Sequence, residues 1–304
     1  MTLFRKRETP IQNIAYMSIM SAINVIFVLL SNVLPILLFL LVFILPLTST
    51  IVTIYCKKRY YPIYFIVTFS LCFLVAYGFS IFDNLIYVLP ALITGFIFGI
   101  CFEYKLPSML SIVINTLVEF ILSILTFYVI GKILTNLNMM DTLITAFGLQ
   151  HFPYKVAFSL IFLFIIAQIQ IVLSYVFIKS ELHRLGLDVN LNCQYSFLLN
   201  LYTIGCCLLA VLSYFYFKNW TLVLVLMPLV IYIYQLINLV LNRDFIVLAI
   251  LGVIHLAFIF IFAFLYEKVD TPNQAILIYT LFGPVTIIDF LNNYCFHKKL
   301  NNIK

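Results

Sequence analysis

An all-α, polytopic bundle of transmembrane helices is the fold class that the sequence predicts, on three observations. Only 9% of the 304 residues are charged and 65% are hydrophobic. An average soluble domain carries about 25% charged residues, so these are too few to cover a soluble protein of this size. Apolar runs of about 20 residues follow one another along the chain, the length a helix needs to cross a ~30 Å hydrocarbon core. Lys and Arg fall in the gaps between those runs, and mainly in alternate gaps.

The runs predict about ten spans. The first covers 11–31, where Thr9 can cap the helix and Pro10 suits its first turn. A tight turn at Ser31-Asn32 leads to the second, 35–56. The third is 62–79, the fourth 84–103 and the fifth 107–131. A longer loop, 132–152, precedes the sixth span at 153–178. A polar segment, 179–195, mixes charges with asparagines and suits a cytoplasmic connector along the membrane surface. The seventh span is 196–217, the eighth 220–241, the ninth 245–266 and the tenth 272–295. Thr271-Pro272 repeats the cap-then-proline start of the first. The organisation is therefore a six-helix bundle (1–178), the connector (179–195) and a four-helix region (196–304).

The basic residues set the orientation. Arg5, Lys6, Arg7, Lys57, Lys58, Arg59, Lys105, Lys179, Arg184, Arg243, Lys298, Lys299 and Lys304 fall on one side of such a bundle. Lys132, Lys155, Lys218 and Lys268 fall on the other. The excess places the first set, and both termini, in the cytoplasm, with the plasma membrane as the site. If the hairpin of the first two runs is re-entrant, eight spans remain and the termini stay inside. Arg5-Lys6-Arg7 before an apolar run also suits a signal peptide. The run from Ile14 to Leu30 is long for one and ends without a small-x-small pattern, so an uncleaved first helix is expected.

Several function classes are excluded. The net charge of +6 sits at membrane-flanking points, with no surface domain to carry a nucleic-acid patch. The seven cysteines show no C-x-x-C and the four histidines no ligand spacing, so neither a redox nor a metal site is expected. No P-loop, H-E-x-x-H or G-x-S-x-G occurs. The chain is read as no enzyme, with no cofactor.

The fifth span carries the strongest chemical signal. Ser108, Ser111, Asn115, Glu119, Ser123 and Thr126 recur at intervals of three and four, so they share one helix face. Glu119 falls near mid-membrane, where a carboxylate is costly and is expected to face protein or water. This face is either the polar lining of a ligand path or a helix–helix seam. In the sixth span, Gln168 and Gln170 point about 200° apart, so at most one can join that face. Gln168 and, in the first span, Asn24 complete the candidate ligand contacts. Ser18-x-x-x-Ala22 is a small-xxx-small pair that lets another helix approach, and Gly95-x-x-x-Gly99 is a second such pair. His255 and Asp289 stand isolated.

The chain resembles the YybS-like family of predicted multi-spanning membrane proteins. The resemblance rests on the first helix (Ile14-Ala-Tyr-Met-Ser-Ile-Met-Ser-Ala22), on Glu181-Leu-His-Arg-Leu-Gly186 and on Gly283, Asp289 and His297-Lys-Lys299 near the end. Over its first six helices that family is similar to the substrate-binding S components of energy-coupling-factor (ECF) transporters. These bind a vitamin or metal on the outer side and dock on a transmembrane coupling subunit through an Ala-x-x-x-Ala pair in helix 1. Separate ATPases supply the energy. The resemblance implies that Ser18 and Ala22 are the docking pair here. The expected function is a ligand-binding subunit of an ECF-like transporter. The alternative is a membrane scaffold or regulatory protein without a transported substrate.

Overall fold

A computed structural model of the protein describes residues 6–34, 37–76, 81–130, 133, 139–146, 155–187, 197–216 and 218–228, with a few single positions beyond. Most of the eighth expected span, the ninth and tenth, and with them His255 and Asp289, lie outside the described residues.

Among the described residues every element is helical: α1 (Pro10–Val33), α2 (Leu38–Tyr55), a 3-10 turn (Lys58–Tyr60), α3 (Tyr61–Ala76), α4 (Ile81–Glu103) and α5 (Ser108–Ile124). The backbone after α5 widens into π-helical turns over Leu125–Ile130. Then come α6 (Met139–Ala146), α7 (Lys155–Arg184), α8 (Phe197–Tyr216) and α9 (Lys218–Leu226). Among the described residues, three stretches are long and apolar enough to cross a membrane. They are Pro10–Val33 and Ser108–Tyr128, each of mean hydropathy 2.1, and Lys155–Arg184, of mean hydropathy 2.6.

Local chemistry sets the helix ends. Thr9 caps α1 as its sequence suggests, its Oγ1 accepting from the Gln12 N–H at 3.3 Å, with Pro10 in the first turn. The chain does not turn at Ser31-Asn32, however. Ser31 Oγ donates back to the Val28 carbonyl at 2.8 Å, and the helix runs on to Val33. The break comes at Leu34, which is extended (φ −122°, ψ 93°) because it precedes Pro35. The loop expected over 132–152 contains the short α6. The sixth span also continues past 178 to Arg184, so the connector begins as helix. Thirty residues make a helix of about 45 Å, longer than a ~30 Å core. Arg184 pairs with Glu181 at 2.8 Å in its last turn. Gly186, at φ +77°, ends it, with Gly186 N–H to the His183 carbonyl and Leu187 N–H to the Leu182 carbonyl. Lys105 takes the same left-handed place after α4 (φ 52°), where a side chain costs about 1 kcal/mol or more.

The chain divides into two compact units. One comprises 1–148 with 165–193, the other 149–164 with 194–304. In the first, α2 and α4 make the most extensive contact, α1 packs on α3 and α2, and α5 packs on α4. The second half of α7 joins this core through Ile171, Tyr175, Ile178 and Leu182. There Ser174 Oγ donates to the Val42 carbonyl at 2.8 Å, and Tyr175 meets the Phe98 and Phe102 rings. In the second unit α8 packs on α9, and the Ser213 and Thr221 hydroxyls bond at 2.9 Å.

Polarity is distributed inside out. Asn13, Asn24, Thr50, Thr68, Asn115 and Glu119 are buried, while Ile14, Ile26, Ile66, Ile121, Ile169 and Leu208 are exposed. Water-soluble folds seldom show wide apolar faces. Helices that satisfy their own backbone and turn aliphatic side chains outward suit lipid as solvent. The cysteines described, Cys56, Cys72, Cys101 and Cys206, are buried, as small hydrophobes would be.

The expected topology is open to a direct check. Single cysteines at Met140, in α6, and at Asp188, just past α7, in an otherwise cysteine-free chain, are expected to label from opposite sides. Position 140 reacts with an impermeant maleimide in intact cells, and 188 only after permeabilisation. Labelling of both from one side would refute a membrane crossing by α7.

Candidate functional site

The polar face of α5 is the candidate site. Intervals of three and four residues bring Ser111, Asn115 and Glu119 into register one turn apart. All three are buried, with Asn115 fully enclosed and Glu119 3% exposed. Asn115 Nδ2 donates to the Ser111 carbonyl at 2.9 Å, a bond within the helix. Among the described residues its Oδ1 accepts nothing and the hydroxyls of Ser108 and Thr116 make no hydrogen bond, while the Ser111 hydroxyl lies beside the Cys101 thiol. The Glu119 carboxyl has no ion-pair or hydrogen-bond partner among the described residues. Thr116 was not in the sequence-derived stripe, because it follows Asn115 directly and so points about 100° away. It is nonetheless 2% exposed and adds another unmet hydroxyl to the same stretch.

Nearly two turns after Glu119 the helix widens. Thr126, the last residue of the stripe, bonds its Oγ1 to the Leu122 carbonyl at 2.8 Å where the π-helical turns begin. Such widened turns shift the register of side chains and occur often at functional sites.

The other candidate ligand contacts lie elsewhere in the fold. Asn24 belongs to a network joining α1, α2 and α3. Its Nδ2 donates to Tyr64 Oη at 2.9 Å, and its Oδ1 accepts from Thr48 Oγ1 at 2.7 Å. One turn before it, the Ser21 and Thr68 hydroxyls bond at 2.6 Å. These groups satisfy one another inside the core. Gln168 is half-buried on α7 and makes no hydrogen bond to Asn24, Asn115 or Glu119. Asn115 and Glu119 are therefore brought together, while Asn24 is engaged by Tyr64 and Thr48.

The two small-residue pairs have different surroundings. Gly95 and Gly99 sit where α4 comes closest to α2. A Cβ on Gly95 would meet Ser49 Cβ at 2.5 Å and the Pro46 carbonyl oxygen at 2.7 Å; one on Gly99 would overlap Thr53. Thr50 Oγ1 crosses the same seam to the Gly95 carbonyl at 3.0 Å. Ser18 and Ala22 face the other way. Both are exposed on α1, together with Ala15, Ile19 and Ile26. Ser18 Oγ donates to the Ile14 carbonyl at 2.9 Å, so its hydroxyl is satisfied within its own helix.

Asn13 escaped the sequence reading. It is fully buried and joins three segments: Nδ2 donates to the Thr9 and Arg7 carbonyls, at 2.7 and 3.3 Å, and Oδ1 accepts the Lys57 N–H at 2.8 Å. The only available signal was an amide in the first turn of a helix beside a basic segment. Among the described residues, no group of three His, Cys, Asp or Glu is placed to hold a metal ion.

Comparison of the chain with protein-family models, with curated proteins and with solved structures finds no match.

Proposed function

We propose that the chain is a multi-pass protein of the plasma membrane, with about ten spans and both termini in the cytoplasm. In this reading it is the ligand-binding subunit of an ECF-like transporter, energised by separate ATPase chains. The observation that carries it is the face around Glu119. A carboxyl in a buried stretch of an apolar helix, with no partner among the described residues, is costly, and such residues mark solute or ion paths. The unmet groups of Asn115 and Thr116 among the described residues supply donors and acceptors beside it. A polar solute bearing a donor or a positive charge would satisfy all of them at once. The exposed Ser18 and Ala22 support the same reading, since a docking pair must lie on an outer face.

The packing of α1 to α4 supports a second reading, a membrane scaffold or regulatory protein without a transported substrate. Its buried polar groups largely satisfy one another, and its helices touch through glycine. Mass spectrometry of small molecules that co-purify with the detergent-solubilised chain separates the two. A polar solute is expected with the wild type. Glu119→Gln keeps the size and hydrogen bonding of the side chain but removes its charge. It is expected to weaken retention of that solute about tenfold or more, the equivalent of about 1.4 kcal/mol, at unchanged helix content. Retention unaffected by the substitution would reject the site, and absence of any bound solute would favour the scaffold.

A further inference from the structure

A second feature of the first unit has its own chemistry. The N-terminal arm, the end of α2 with the turn after it, and the end of α4 enclose a cleft of about 570 Å³. It is lined by Lys6, Arg7, Lys57, Lys58 and Arg59 against the two carboxylates Glu8 and Glu103, a surplus of three positive charges. Ile54 and Tyr55 give it an apolar wall.

The backbone around the cleft is pinned. Arg7 N–H donates to the Tyr55 carbonyl at 2.8 Å, satisfying a carbonyl at the end of α2, and Lys57 N–H is held by the buried Asn13. Part of the charge is already committed. Lys58 Nζ lies 2.7 Å from Glu103, which holds its ammonium above the ordinary lysine range, and Lys6 reaches the same carboxylate at 3.5 Å. The Arg7 guanidinium lies over the Tyr16 ring. Lys57 and Arg59 are exposed, and among the described residues no carboxylate pairs with either; Arg59 is steadied by donating to Tyr60 Oη at 2.7 Å.

We propose that this cleft binds the phosphate headgroup of an anionic phospholipid, with Lys57 and Arg59 as its main contacts. A guanidinium fork and a nearby ammonium recognise phosphate oxygens. Basic pockets between helices at a membrane surface are suited to such headgroups. A free phosphate has the same chemistry, but a lipid also has acyl chains. The N-terminal arm that lines the cleft runs into the first turns of α1, where Ile11 and Ile14 are 80% and 54% exposed. The proposal rests on the membrane reading of these helices, not on transport.

The test titrates the full chain, in a nonionic detergent, with phosphatidylglycerol or phosphatidylcholine and counts bound lipid by native mass spectrometry. Phosphatidylglycerol is expected to bind about tenfold or more tightly than phosphatidylcholine. Lys57→Gln with Arg59→Gln is expected to remove that preference. Lys105→Gln with Lys179→Gln removes the same charge from outside the cleft and is expected to leave the preference intact. An equal loss in both double variants would overturn the proposal, since general surface charge would then explain it. Displacement of phosphatidylglycerol by millimolar inorganic phosphate would overturn it in favour of a soluble anion. Incorporation into phosphatidylcholine vesicles, followed by flotation, tests the membrane reading separately. A chain that floats but shows no lipid preference refutes the headgroup site alone.

Discussion

Gly95→Val is expected to stop α2 and α4 from closing on each other and to leave little folded protein in detergent. Even a single Cβ at this position would sit 2.5 Å from Ser49 Cβ and 2.7 Å from the Pro46 carbonyl oxygen. The second of these is main chain, so no rotamer change relieves it. Overpacking of this kind costs about 1–3 kcal/mol for one inserted group. Replacing Gly by Ala inside a helix recovers at most about 1 kcal/mol of propensity. Gly95→Ala is therefore expected to melt below the wild type, and Gly95→Val, with two further methyls, to fail. The α2–α4 contact is the most extensive in its unit, so its loss exposes Thr50, Thr53 and Thr94, which are now buried. Gly205 in α8 provides the contrast. Among the described residues nothing lies within 4 Å of a Cβ built there, so Gly205→Ala is expected to melt at or slightly above the wild-type temperature. Circular dichroism melting and size-exclusion profiles of the three variants check this. A Gly95→Val chain that elutes and melts like the wild type would refute the close contact.

Much of the first unit was legible because each feature had a local signature. Thr9-Pro10 marked the start of α1, and the apolar runs marked α2 to α5 to within a few residues. The α5 stripe could be read because helical spacing is periodic in sequence. Errors arose where one residue type serves two purposes. Ser31 has the composition of a turn, yet its hydroxyl bonds back to Val28 and the helix continues. Lys179, Glu181 and Arg184 have the composition of a connector, yet a helix leaving an apolar layer needs no further apolar residues, and α7 continues through them. The Asn24 network had no local signature. Its partners Tyr64 and Thr48 lie 40 and 24 positions away, and only the crossing of three helices brings them together. The same holds for Asn13 and Lys57, which are 44 positions apart. Unmet groups are equally invisible in sequence, since whether Ser111 or Thr116 has a partner depends on what packs over it.

Ser18→Leu combined with Ala22→Leu is expected to abolish association with a partner while leaving the fold intact. Small side chains at this spacing let a second helix approach α1 closely, and two leucines would hold it off. Both positions are exposed, and the core of the unit is reached from the opposite face of α1, through Tyr16, Met17, Met20, Asn24 and Val28. The substitutions keep the span apolar, and Ser18 loses only a bond to its own helix. Insertion, melting temperature and the Glu119 face should therefore be unchanged, and a lost partner can be traced to the outer surface. Ile19→Leu, on the same exposed side, preserves volume and serves as the control. No P-loop occurs in the sequence, so the proposed ECF-like role places ATP hydrolysis on another chain. In a gentle-detergent pull-down, the wild type and the Ile19 variant are expected to recover an ATPase-containing membrane module, and the double variant none. Recovery by all three chains would move the docking surface away from α1. Recovery by none would end the transporter-subunit reading, and the self-satisfied interior of α1 to α4 would then be that of a scaffold.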